Sequence, residues 1–206
     1  MKLFVSTTSP YSRLLMIACH LHNIDLPLVF VMPWDNPVEL LTANPFSQVP
    51  ALLTDDGTLI TETSVILAYL LPQIFSDPKT ASLSSLSFGI ISQAVRAFAT
   101  QRFQPKNSLP HPFIERSSQL LRDMLPNAPQ LDAESMDLPQ IFYGVALVYV
   151  KMRLPDLYKQ AVSDNNQQAV NVFLQRDFMQ KTDSQQLELH PKSTLQILGL
   201  THFHNV

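Results

Sequence analysis

Strand-like segments are confined to the first 61 positions of this 206-residue chain, and everything beyond the proline at position 72 reads as helix or loop. That asymmetry constrains the fold more than any figure of composition. The early segments must build one small mixed layer, and the remainder must bury its apolar residues as packed helices.

Residues 2–6 read as a short buried strand that Thr7-Thr8-Ser9-Pro10 breaks. From Tyr11 to His22, the residues Leu14, Leu15, Ile17, Ala18 and Leu21 recur at helical spacing. Ser9 and Pro10 supply the start: a hydroxyl cap, then a residue with no N–H to leave unpaired. Residues 28–32 form a second strand, so strand, helix and strand follow one another as in a βαβ unit with parallel strands. Residues 33–37 are a loop and 38–43 a short helix. Residues 51–54 and 58–61 are two strands joined by Asp55-Asp56-Gly57, whose glycine accepts positive φ. Residues 63–71 are a third helix closed by Pro72.

The expected organisation is a first domain over residues 1–73, a linker over 74–81 containing Asp77-Pro78, and a second domain over 82–206. Helices are expected at 82–103, 112–125, 138–152, 156–162 and 165–178, with prolines at 105, 110, 112, 126, 129 and 155 marking the breaks. The last 25 residues show no period and read as an irregular tail.

Apolar residues make up 46% of the chain, enough for a core, yet no stretch approaches the ~18 consecutive apolar residues of a membrane span. The apolar start gives way at Ser6, too early for a signal-peptide core, so a cytoplasmic location is expected. A net charge of -3 without a Lys/Arg cluster argues against nucleic acid. The single cysteine, Cys19, excludes an intrachain disulfide, fits a reducing compartment and argues against structural zinc; no metal is expected.

Three motifs stand in order: Ser9-Pro10-Tyr11-Ser12-Arg13 after the first strand, Asn44-Pro45-Phe46-Ser47-Gln48-Val49-Pro50-Ala51-Leu52, and Glu62-Thr63-Ser64-Val65-Ile66-Leu67-Ala68-Tyr69-Leu70. Together they resemble the N-terminal domain of glutathione transferases, particularly bacterial proteins with a Ser-Pro-Tyr opening, and Pro33-Trp34 looks like the same group. The resemblance covers residues 1–72. It implies an α/β thioredoxin-like N-terminal domain followed by an all-α C-terminal domain. Asp137-Leu138-Pro139-Gln140 is similar to the start of the family's capped central helix, where Ser or Thr followed three positions later by Asp is usual. Here Asp137 and Gln140 predict a capping box, the carboxylate accepting from the Gln140 N–H and the amide reaching back.

The resemblance implies glutathione as cosubstrate, a small hydrophobic electrophile as partner, and conjugation or addition of the thiol as the reaction. A binding or regulatory protein that keeps the fold without the chemistry is the alternative. It also implies a cis Val49-Pro50 bond, with the N–H and C=O of Val49 open to the cysteinyl backbone of the ligand. Taken alone, that dipeptide reads as an ordinary trans proline entering a strand. Thr63, at a helix start, would bind the γ-glutamyl carboxylate and Glu62 the neighbouring ammonium; a plain helix cap is the other reading.

Ser9 is the implied catalytic residue. A cysteine-like thiol has a pKa of about 8.5, and a hydroxyl donating to sulfur beside a helix start favours the thiolate. The bound thiol attacks; Ser9 does not. Thr8 and Tyr11 are rival donors, and Ser9 as a simple helix cap is the alternative. Serine where some relatives carry cysteine favours transfer over thiol–disulfide exchange. Gln48 would orient the ligand backbone, at a position where many relatives have lysine. Ser47 stands where glycine is common, and Trp34 is a candidate partner for the glycyl carboxylate. Tyr11, Gln101 and Arg102 are the candidate cosubstrate pocket. A homodimer using helix 82–103 and the N-terminal domain is expected. Cys19 reads as a buried inert thiol. His20 and His22 are two apart on a helix and do not face each other; His202 and His204 read as solvated.

Overall fold

The computed structural model describes residues 1–198; His202 and His204 lie outside the described residues. The chain divides into two compact units, Met1–Ser76 together with the described residues from Arg176 onward, and Asp77–Gln175.

The first unit is a thioredoxin-like α/β layer. Strand β1 (Lys2–Val5) pairs in parallel with β2 (Leu28–Phe30) on one side and antiparallel with β3 (Ala51–Leu53) on the other. Strand β4 (Leu59–Ile60) completes a mixed sheet in the order β2-β1-β3-β4. The parallel pair requires a crossover, supplied by α1 (Pro10–Leu21), which buries Leu14, Leu15, Met16, Ile17, Ala18 and Cys19. The β3–β4 hairpin closes where expected, with Gly57 at φ 83 and the Thr54 N–H donating to the Thr58 carbonyl at 2.9 Å. Phe4 of β1, wholly buried, packs with Leu40 of α2 (Val38–Ala43) and with Ala51. Helix α3 (Thr63–Leu70) buries Thr63, Ile66 and Leu67.

The second unit is helical: α4 (Pro78–Phe103), α5 (Pro112–Met124), α6 (Leu138–Arg153), α7 (Pro155–Ala161) and α8 (Asp164–Phe173). Residues 141–150 of α6 are buried on every face, as befits a central helix. Helix α4 begins at Pro78, inside the stretch read as linker. The Asp77 carboxylate accepts the Thr80 N–H at 2.8 Å and Pro78 occupies the first turn, so this Asp-Pro pair starts a helix instead of interrupting the chain. The expected capping box at α6 is absent. Gln140 Oε1 accepts the Asp132 N–H at 3.0 Å and the Asp137 N–H donates to Ser135 Oγ at 3.1 Å, so both members bond into the preceding loop.

That loop is tied down by a buried amide. Asn166 Oδ1 accepts the Leu131 N–H at 2.8 Å, and Asn166 Nδ2 donates to the Pro129 carbonyl at 3.0 Å and to the Tyr143 hydroxyl at 3.3 Å. Tyr143 in turn donates to the same Pro129 carbonyl at 2.9 Å.

The stretch expected as one helix over 165–178 breaks after Phe173 and resumes as α9 (Asp177–Lys181), followed by α10 (Ser184–Leu187) in the region read as an irregular tail. Helices this short carry too few positions to display a period. The segment is bonded into the first unit. Arg13 donates from Nε to Thr182 Oγ1 at 3.0 Å and from Nη2 to the Met179 carbonyl. Desolvation lowers the Arg13 pKa to about 10, opposed by the nearby Asp183 charge, so the group stays cationic at neutral pH. Buried Thr194 donates its N–H to the Leu26 carbonyl at 3.0 Å, accepts the Leu26 N–H on Oγ1 at 2.9 Å and donates its hydroxyl to the Ile24 carbonyl at 2.6 Å. The His190 ring stacks on Phe30 with centroids 4.7 Å apart.

Asn166→Ala strips three buried groups of a partner and is expected to cost about 2–3 kcal/mol, read as a lower urea midpoint at unchanged slope. A loss under about 0.5 kcal/mol, the size of an ordinary surface change, would show that the amide does not hold the 128–137 loop.

Candidate functional site

The sheet register brings four connections to one end. Val5 closes β1 beside Phe30, which closes the parallel strand β2. Ala51 opens β3 opposite Phe4, so the antiparallel strand begins where β1 ends. Ile60 closes β4 opposite Leu52, so β4 ends there as well. The turn carrying Thr8 and Ser9, the segment carrying Trp34, the Val49-Pro50 link and the Glu62-Thr63 pair therefore all leave or enter the sheet at the same edge. Helices α1 and α3 both begin there, each with the positive end of its dipole at that edge.

The turn after β1 is organised by hydroxyls. Ser9 is the N-cap of α1, with extended backbone at φ -74, ψ 122. Its Oγ accepts the Ser12 N–H at 3.2 Å. Ser12, fully buried, accepts the N–H of buried Ser6 on its own Oγ at 3.3 Å. Ser9 and Tyr11 are half-buried and Thr8 is exposed, so all three candidate donors sit on this one closed turn.

The link before β3 is held from the preceding turn. Val49-Pro50 is cis. Asn44, 1% exposed, donates Nδ2 to the Gln48 carbonyl at 2.9 Å and accepts the Phe46 N–H at 3.1 Å. Ser47 takes φ 50 and donates its hydroxyl to the Pro33 carbonyl at 3.1 Å, tying this turn to the 3-10 segment Pro33–Asp35 that carries the half-exposed Trp34. The positive φ gives the physical reason why glycine suits position 47. Among the described residues, neither the N–H nor the C=O of Val49 enters a backbone hydrogen bond. Gln48 is exposed.

At the start of α3, Glu62 holds φ 64 and ψ 121, a combination outside the left-handed helical basin and costly for a residue with a side chain. Its carbonyl accepts from the Val65 and Ile66 N–H groups at 3.0 and 2.9 Å, while its side chain makes no cap bond and is exposed. Thr63 follows at 6% exposure as the first helical residue.

Gln101 and Arg102 are exposed on the last turn of α4, in the second unit; Tyr11 belongs to the first. Cys19 is 1% exposed and burial pushes its thiol up to about 12, so it is an inert core residue. Among the described residues, no group of three or more His, Cys, Asp or Glu is placed to hold a metal ion, and no helix is long and apolar enough to cross a membrane. Two contributors went unmarked as site residues in the sequence: Ser12, three positions after a capping serine, and Asn44, whose Asn-Pro context marks a turn without revealing that its amide is buried.

Residues 8–71 match the family described as the glutathione S-transferase N-terminal domain. Among solved structures, a glutathione transferase family member from Pseudomonas fluorescens Pf-5 with bound S-(propanoic acid)-glutathione aligns with a TM-score of 0.70 at 25% identity over 88% of this chain and 98% of that one. The form described with bound glutathione gives 0.68 and 26% over the same shares. Together these findings support the glutathione transferase superfamily. A glutathione S-transferase from Methylobacillus flagellatus KT shares the fold, with a TM-score of 0.67 at 24% identity over 88% of this chain and 98% of that one. No curated protein matches the chain by sequence. The match to the transferase N-terminal domain spans all four connections at the common edge, from Thr8 to Leu71.

The dihedral at Glu62 can be tested directly. In Glu62→Gly, relief of about 1–3 kcal/mol of backbone strain outweighs or matches the ~0.5–1 kcal/mol of chain entropy that glycine costs. The melting temperature is therefore expected to hold or rise. A fall of several degrees without ligand would contradict strain at this position.

Proposed function

We propose that this chain binds glutathione at the common end of its sheet and conjugates or adds the thiol to a small hydrophobic electrophile. The observation that carries this is the convergence of the Ser9 turn, the cis Val49-Pro50 link and the Glu62-Thr63 helix start at one edge of the sheet. The bound glutathione described for the Pseudomonas fluorescens structure supports the ligand.

Each group has a chemical task. The open N–H and C=O of Val49 pair with the cysteinyl backbone of the tripeptide, with Pro50 shaping the link and Gln48 beside it. The N-terminal N–H groups of α3 and the Thr63 hydroxyl receive the γ-glutamyl carboxylate, and exposed Glu62 receives the adjacent ammonium. Trp34 flanks the glycyl end. The Ser9 oxygen already accepts the Ser12 N–H, which leaves its own proton to donate to sulfur. That hydrogen bond and the start of α1 stabilise the thiolate; a lowering of one to two units corresponds to about 1.4–2.7 kcal/mol. The thiolate then attacks the electrophilic carbon. A C–S bond forms, the leaving group departs with its electron pair, and the thiol proton passes to solvent. Tyr11, two positions after Ser9 in the first unit, is the residue this reading turns toward the electrophile, and the protein acts in the cytoplasm as a homodimer. In the first unit, Phe46 at 74% and Val65 and Tyr69 at 52% and 51% exposure offer apolar surface for a second copy.

With 1-chloro-2,4-dinitrobenzene as electrophile, Ser9→Ala is expected to lower kcat/KM by about 10- to 100-fold, the rate equivalent of one to two units of thiol pKa. Thr8→Ala is expected to leave it close to wild type. Undiminished turnover in the Ser9→Ala, Thr8→Ala double variant would rule out the hydroxyl mechanism. A concentration-independent monomer mass by light scattering would rule out the dimer.

A further inference from the structure

Ser9 is bonded to a second serine that is wholly buried. Ser12 lies one turn inside α1, at 0% exposure, and makes two bonds in opposite directions. Its N–H donates to Ser9 Oγ at 3.2 Å, and its Oγ accepts the Ser6 N–H at 3.3 Å. Ser6 is the residue after β1 and is itself only 6% exposed. The whole connection from strand to helix is thus closed at both ends on a single residue, through the Ser12 main-chain N–H at one end and its hydroxyl at the other, and Thr7, Thr8 and Ser9 are the residues enclosed. A buried N–H without a partner is costly enough that the turn would rearrange to satisfy it.

We propose that Ser12 is the positioning residue of the thiol site: it fixes the turn between β1 and α1 so that the Ser9 hydroxyl presents its proton to the sulfur. This rests on the reading of Ser9 as the thiol's hydrogen-bond donor. Two features of the geometry favour positioning over packing alone. The Ser12 N–H occupies one lone pair of Ser9 Oγ, which orients the remaining proton away from the helix. The Ser12 Oγ bond reaches Ser6, just after the strand, where the turn begins, and not the helix to which Ser12 belongs. Displacement of the turn by even half an ångström degrades a hydrogen bond to sulfur while leaving the Val49 and α3 contacts in place. Ser12 therefore governs the ionisation of the bound thiol more than the affinity for glutathione.

The test uses the full-length protein with glutathione alone as the probe, following the ultraviolet absorbance of the bound thiolate against pH. In Ser12→Ala the midpoint is expected to rise by about half a unit to one unit, with kcat for 1-chloro-2,4-dinitrobenzene falling about 3- to 10-fold and the KM for glutathione little changed. Ser12→Thr, which keeps the oxygen, is expected to return the midpoint toward the wild-type value. A Ser12→Ala protein that melts lower but titrates as wild type would overturn the proposal, leaving Ser12 a packing residue. So would Ser12→Thr shifting as far as Ser12→Ala; if the alanine variant fails to fold, Ser12→Cys, a weaker acceptor of similar shape, is titrated in its place, and a wild-type midpoint there overturns the proposal. Ser9→Ala separates the two levels. A shift there without one in Ser12→Ala removes only the positioning role. No shift in Ser9→Ala removes Ser9 as donor, and the proposal with it.

Discussion

The pairing of β1 on both of its edges is the constraint on which the rest depends. One neighbour is parallel and the other antiparallel, so the end of β1 lies beside the end of β2 and the start of β3. The hairpin to β4 then returns the chain to the same edge before α3 begins. Had β3 run parallel, the Val49-Pro50 link and the Ser9 turn would lie at opposite ends of the sheet. Phe4 fixes that arrangement from within. It is wholly buried, packs against Leu40 and Ala51, and lies between the two pairings. Leu3 and Val5 are wholly buried as well, so both faces of β1 are covered and the strand is held at the centre of the unit.

Given that frame, the site is a matter of accounting for polar groups. The turn after β1 satisfies its own buried N–H through Ser12, and the turn before β3 satisfies its carbonyl through Asn44. What these contacts leave over are the main-chain groups of Val49 and the N–H groups of Thr63 and Ser64 that open α3. Internal hydrogen bonding thus ends where a small anionic peptide would begin. A ligand of that kind gains main-chain bonds without displacing any the protein makes to itself, which is the economy of strand addition.

The parts of this that could be read from the sequence are those set by local chemistry. Asp55-Asp56-Gly57 makes a hairpin because glycine takes positive φ, and Ser9-Pro10 starts a helix because the serine caps and the proline needs no partner. Where local chemistry is shared by two structures, the reading divides. Asp77-Pro78 serves as a helix start as readily as a break, and only the Thr80 bond decides it. Asp137 and Gln140 have the spacing of a capping box, yet the Asp132 N–H claims the Gln140 side chain first. The break between α8 and α9 has neither Pro nor Gly to announce it. The attachment of the terminal segment through Arg13 and Thr194 joins residues about 170 positions apart, beyond any local signal.

Strain follows the same division between frame and site. Six described residues other than glycine have positive φ, and three of them, Asn36, Ser47 and Glu62, lie in the connections at the common edge. Asparagine tolerates that region through its short polar side chain; serine and glutamate gain no such relief. The two conformations least suited to their residues are therefore those beside the proposed ligand. Such positions persist only where the surroundings over-determine them. Here Ser47 is held through its hydroxyl to Pro33, and Glu62 through the two N–H groups its carbonyl accepts. A core that needed only to be stable would have placed glycine at both. The Glu62 side chain makes no cap bond and is exposed at the head of α3, which is the placement that the role proposed for its carboxylate requires.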